Sequence, residues 1–176
     1  MVIRDLAWTD FDAIVESYFA LYDEVREFPD IGVLLFPRRP TMGHEAEWFA
    51  GLWRRIDEGA SLAAVAVEDG KAVGLCHIDR HEATESRHIG VLGILVAQPW
   101  RHRGLGRQLM GYVIEQARSR FELVELSVFV SNAPARALYA SLGFRTWGIE
   151  PKGVLRGGRY TDVEHMTLDL TTNRSA

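Results

Sequence analysis

The feature that most constrains this chain is a corner. The apolar run Val91-Leu92-Gly93-Ile94-Leu95-Val96 leads into Arg101-His102-Arg103-Gly104-Leu105-Gly106, and after it the apolar period changes. Leu105, Leu109, Val113 and Ala117 then recur every four residues, with Met110 and Ile114 beside them. A β-rich run, a glycine-rich corner and helical spacing predict strand, loop and helix. The first amides of such a helix have no carbonyl partner, and the positive end of the helix dipole lies among them. Glycines let a ligand approach the backbone, and Arg101, Arg103 and Arg107 add positive charge. The expectation is an anion site, with phosphate as the anion.

Two common phosphate loops are excluded. No Gly-Lys-Ser/Thr follows, and the residue three after Gly106 is Leu109, where a dinucleotide fingerprint needs glycine. A second constellation lies downstream: Asn132-x-x-Ala135-x-x-Leu138-Tyr139-x-x-x-Gly143-Phe144. Asn132 suits a helix N-cap, Ala135, Leu138 and Leu142 share a face, and Gly143 suits a C-terminal stop. The first corner matches Gln/Arg-x-x-Gly-x-Gly/Ala through Arg101, Gly104 and Gly106. Together, in this order and spacing, the two stretches resemble the GCN5-related N-acetyltransferases. The resemblance covers residues 62 to 147 well and is thinnest over the segments that would face an acceptor.

The rest of the chain sets bounds. Its 176 residues, 47% of them hydrophobic, suit one domain over 1–170 with a disordered tail at 171–176. A net charge of −4 argues against nucleic acid. The single cysteine, Cys76, forbids an internal disulfide. There is no signal-peptide pattern and no apolar run of membrane-spanning length, so a cytoplasmic protein without a membrane partner is the expectation.

In order, Val2 to Ala7 reads as a strand. Phe11, Ile14, Val15, Tyr18, Tyr22 and Val25 form a helical stripe. Residues 28 to 43 hold Pro29, Pro37 and Pro40 around the apolar Val33-Leu34-Leu35-Phe36, which would shape an acceptor pocket, pack on the core or meet a partner chain. Glu45, Trp48, Phe49, Leu52, Trp53 and Ile56 mark a second helix, stopped by Gly59. Residues 62–67 and 72–78 read as a hairpin about Glu68-Asp69-Gly70-Lys71. Then come a central strand over 89–96, a helix over 105–119, a strand over 121–130, a short helix over 133–142, a strand over 144–149 and a last strand over 160–170. The fold class is a mixed α/β (α+β) domain. The resemblance sharpens this to a central, mostly antiparallel sheet, splayed at the cofactor site and flanked by helices.

The resemblance also implies an acetyl-CoA-dependent acyltransfer to an amine and a set of roles. The backbone of Ile94, Leu95 and Val96 would bind the pantetheine arm, and one amide there would face the thioester carbonyl. The amides of His102, Arg103, Gly104, Leu105, Gly106 and Arg107, following Arg101, would hold the pyrophosphate. Asn132 would contact the arm or fix the splay, and Tyr139 would protonate the departing sulfur. Such transfer requires a neutral amine. Some members carry a glutamate base five residues before the asparagine; here that position is Ser127, so the base must come from elsewhere. Candidates are Glu125 on the same strand face, His77 from His77-Ile78-Asp79-Arg80-His81, and His88; an ordered water could also serve. His77, Asp79 and His81 would share a strand face, which is better read as a core face turning polar than as a metal site. No metal is expected. The leading reading is transfer to a primary amine of a small molecule. A protein N-terminus or lysine as acceptor, or a non-catalytic acyl-CoA sensor, remain as alternatives. A homodimer is common in the family.

Overall fold

A computed structural model describes residues 1–27, 31 and 39–172. The apolar segment 33–36 and the tail beyond 172 therefore lie outside the described residues. Seven strands form one sheet in the order β1-β2-β3-β4-β5-β7-β6. They are β1 (Val2–Asp5), β2 (Ser61–Glu68), β3 (Lys71–Arg80), β4 (Ile89–Val96), β5 (Leu123–Phe129), β6 (Arg145–Arg156) and β7 (Arg159–Asp169). Only β4 and β5 run parallel; every other neighbouring pair is antiparallel.

Four α-helices cover the sheet: α1 (Phe11–Glu27), α2 (Met42–Asp57), α3 (Leu105–Ala117) and α4 (Ala133–Ser141). The stripes read from the sequence are the faces that are buried. Ile14 of α1 and Phe49 and Leu52 of α2 pack with Ala63, Val65 and Leu75 on one side of the sheet. Leu105, Leu109, Met110, Val113 and Ala117 of α3 pack with Cys76, Ile78 and Val124 on the other. Strand alternation explains the division, since Leu75 and Cys76 must point to opposite faces. Thr41 caps α2 by accepting from the His44 amide at 3.3 Å.

The longest departure from the sequence reading is β6, expected to end near residue 149 but extending to Arg156. Pro151 and Gly153 break the alternation that a strand reading needs. The sheet absorbs them as an irregularity between Glu150 and Val154, where Lys152 takes a positive φ of 58°. An edge strand tolerates this because a proline without N–H loses no bond on its outer side.

The feature that makes a site is the parting of β4 from β5. They pair over Ile89–Val91 only, while β4 runs on to Val96 beside β3 and β5 continues to Phe129 beside β7. One edge of Leu92–Val96 thus has no neighbouring strand. Its amides and carbonyls need partners from elsewhere. No helix among the described residues is long and apolar enough to cross a membrane.

Candidate active site

Two cavities meet at that parting. A groove of about 740 Å³ lies over the loop that leads into α3. Its floor is Ile94, Leu95 and Val96; its walls are Arg101, His102 and Gly104–Arg107 on one side and Asn132, Leu138 and Tyr139 of the α4 region on the other. A second cavity, about 760 Å³, is lined by residues of α1, α2, β3 and β4. Leu21, Ile94 and Leu95 line both.

The corner takes the shape the anion site requires. His102 and Gly104 have φ values of 59° and 76°, so the chain curls through left-handed conformations before α3 begins at Leu105. Gly104 is the N-cap residue and has no side chain to bond the first-turn amides. These amides are left for a ligand. A Cβ placed on Gly104 would meet no atom within 4 Å. That open space is where an anion would approach the backbone. Gly106 has a different reason: a Cβ there would come within 3.1 Å of Leu138 Cδ2, so its smallness lets α3 and α4 pack closely.

The three arginines expected to add positive charge at the corner are placed differently. The Arg101 guanidinium donates to both carboxylate oxygens of Glu24 at 2.6 and 2.8 Å and, through Nε, to the Val96 carbonyl at 2.9 Å. Its charge is paired across to α1, tying that helix to the end of β4, while the residue still lines the groove. Arg103 lies over the Trp100 ring, 5.2 Å from its centroid, and does not line the groove. Arg107 lines the groove and donates to Ser141 Oγ at 2.5 Å. Asn132 caps α4, its Oδ1 accepting from the Ala135 amide at 3.2 Å.

Tyr139 is buried, with its ring 6.2 Å from that of Phe144. Burial, and then the neighbouring Cys76, push its phenol up to about 12. Burial also pushes the Cys76 thiol upward, leaving it an inert core group.

The base candidates separate clearly. His77 lines the second cavity, with its ring packed on Gly93: a Cβ on Gly93 would sit 2.5 Å from His77 Nε2. Its Nδ1 is 3.1 Å from Asp79 Oδ2. Asp79 also accepts from Ser61 Oγ at 2.5 Å and Arg55 Nε at 3.3 Å. Burial alone would raise this carboxyl, but the His77 and Ser61 hydrogen bonds and the Arg55 charge hold it at about 2. A carboxylate only accepts, so His77 carries its hydrogen on Nδ1, and Nε2 keeps its lone pair while the ring is neutral. His81 falls beyond the end of β3 and is exposed, so it does not complete the expected face. Glu125 pairs with Val91 and Thr167 and, like His88, lines neither cavity. Among the described residues no cluster of three or more His, Cys, Asp or Glu could hold a metal.

Sequence reading missed Glu45 and Tyr18, which line the second cavity with Trp48. The signal was present: Glu45 shares the register of an otherwise apolar stripe, and it is 7% exposed. Burial raises its carboxyl, against a smaller opposing effect of His44. Burial, Glu45 and Tyr22 raise the Tyr18 phenol.

A split sheet, an amide-lined corner and a second cavity meeting at the split define an acyltransferase architecture. The acetyltransferase (GNAT) family model matches residues 16–144, and the chain belongs to that family, whose enzymes are N-acetyltransferases taking acetyl-CoA as acyl donor. It is 38% identical over 115 residues to the L-amino acid N-acetyltransferase AaaT of Escherichia coli K12, over 64% of this chain and 71% of that one. It is 33% identical over 84 residues to the L-methionine sulfoximine/L-methionine sulfone acetyltransferase of Pseudomonas aeruginosa, covering 47% of this chain but only 49% of that protein. The fold is also that of yncA from Salmonella typhimurium, solved with acetyl-CoA, at TM-score 0.84 and 22% identity over 100% of this chain and 97% of that one.

Proposed function

We propose that the chain acetylates the primary amine of a small-molecule acceptor, an amino acid or close analogue with an apolar side chain. One observation carries this reading: the groove suited to the donor and the second, apolar cavity share Ile94 and Leu95, on the stretch of β4 that has left β5. The names of the two sequence relatives supply the amino-acid class. The mostly apolar side chains that line the second cavity suit the side chain of such a small acceptor.

Acetyl-CoA, when bound, supplies an acetyl carbon activated as a thioester. The amides of the 102–107 corner would hold its pyrophosphate, with Arg107 alongside. The free edge of Ile94–Val96 would bond its arm as a substitute strand, and one amide there would meet the carbonyl oxygen as charge develops on it. Asn132 acts by fixing the start of α4, which carries Tyr139. A phenol held near 12 stays protonated at neutral pH. It would be the proton source for the departing thiolate. The transfer runs uphill because a thiol's own value is about 8.5, and it is completed when the phenolate regains a proton from solvent. His77, with Nδ1 bound to Asp79, would accept a proton from the nitrogen as the new bond forms.

The test is a thiol-release assay with acetyl-CoA and a panel of amines. Apolar L-amino acids should turn over, and polyamines, aminoglycosides, aryl amines and short peptides should not. Tight acetyl-CoA binding with no turnover on any amine would replace this reading with a sensor.

A further inference from the structure

Glu45 is a buried acid that the chemistry above leaves unused. It sits in the first turns of α2 and faces the second cavity, whose walls are mostly apolar side chains of α1, α2, β3 and β4. Every other charged or titratable imidazole or guanidinium group on that cavity is engaged. Arg39 pairs with Asp23 at 3.5 Å and covers the Phe19 ring at 4.6 Å. His44 Nδ1 accepts from the Thr41 amide at 3.3 Å, and His77 is held by Asp79. The Glu45 residue is 7% exposed, and its carboxyl, whose oxygens keep accessible surface, has no hydrogen-bond or ion-pair partner among the described residues. It is not part of the α2 cap, which Thr41 and His44 complete between them. A buried acid without a partner weakens the fold, and a position that breaks a local rule in this way points to a ligand.

We propose that Glu45 receives the acceptor's ammonium and takes its proton. This rests on the reading of the second cavity as the acceptor site. An amine enters largely protonated at neutral pH and must become neutral before it can attack. One N–H bond breaks, the proton passes to a Glu45 carboxylate oxygen, and the electron pair stays on nitrogen as the attacking lone pair. The apolar walls favour this transfer, because a neutral acid and a neutral amine lose far less hydration there than the ion pair does. The second proton, lost as the C–N bond forms, goes to His77. Glu45 returns its proton to solvent when the product leaves. The charged and titratable groups around it are Tyr18 and Tyr22 on α1, Arg39 before α2, His44 on α2 and His77 on β3.

The experiment compares wild type with Glu45→Gln, an isosteric neutral change, using acetyl-CoA with L-leucine, L-methionine and L-methionine sulfone. At neutral pH kcat/KM for the amino acid should fall about a hundredfold with the KM for acetyl-CoA unchanged. The deficit should shrink to about tenfold or less as the pH rises by about two units, because solvent then supplies the free amine. Glu45→Gln should melt no lower than wild type, and Glu45→Met higher. A deficit that does not change with pH, no deficit at all, or a variant that melts well below wild type would each overturn the proposal. Wild-type enzyme silent on all three amino acids would overturn the substrate reading, and this proposal with it; wild-type turnover matched by Glu45→Gln would overturn the Glu45 role alone.

Discussion

The groove and the second cavity are nearly equal in volume and are built on opposite plans. The groove presents backbone: curled amides before α3, the free edge of β4 and the start of α4. The second cavity presents side chains from α1, α2, β3 and β4, Glu45 and His77 among them. A backbone surface reads phosphate and amide groups that are the same in every acyl-CoA. A side-chain surface can be revised one residue at a time. On the proposed reading, the groove serves the shared donor and the second cavity is the part that can vary with the acceptor.

Substitutions can break this contrast or sharpen it. The largest effect is expected at Gly104, where valine would fill the open space above the amides and strain a φ of 76°. The strain costs about 1–2 kcal/mol of stability. Acetyl-CoA affinity measured by calorimetry should fall about a hundredfold or more while the circular dichroism spectrum is kept. Wild-type binding in that variant would remove the anion-site assignment.

Tyr139→Phe comes next. It should lower kcat about a hundredfold with little change in the KM for either substrate, since only the proton to sulfur is lost. Melting should barely change, because no partner among the described residues loses a bond.

Gly93→Ala tests the second cavity without removing a polar group. The new methyl must displace the His77 ring, so amine kcat/KM should fall about tenfold or more while acetyl-CoA binding persists. Equal loss of both would mean that the two cavities are not separable.

The smallest effect is a pH-dependent stability. The Asp79 carboxyl sits at about 2 in the folded chain against 3.8 ordinarily. A depressed carboxyl stabilises the fold above its unfolded value, and that contribution fades as pH falls through about 2. Asp79→Asn should therefore cost about 2 kcal/mol at neutral pH in urea titrations, with the gap to wild type narrowing in acid. A gap that persists unchanged into acid would mean that packing, and not charge, holds His77 in place.

The donor side was legible in the sequence because its parts are local. Six consecutive residues decide where the chain curls, and the following four-residue period decides that a helix starts there. Asn132 and Gly143 bracket α4 in the same way. The stripes of α1, α2 and α3 were legible because burial imposes their period. The length of β6 was not, since Pro151 and Gly153 interrupt a pattern that only the partner strand β7 restores.

Charge pairing was the part the sequence withheld. Arg101 was read as positive charge at the corner, and its ion pair with Glu24, 77 positions away, was not visible there. Glu45 looked like one polar letter in an apolar stripe until α1 and β3 walled it in. The sequence by itself determined the corner, the helix faces and the uncapped first-turn amides of α3, because hydrogen-bond geometry and burial period act between near neighbours. Tertiary structure alone decided which arginine is paired, which acid lines the second cavity and which histidine meets a carboxylate, because a charge's solvation and partners depend on what the fold brings within a few ångströms.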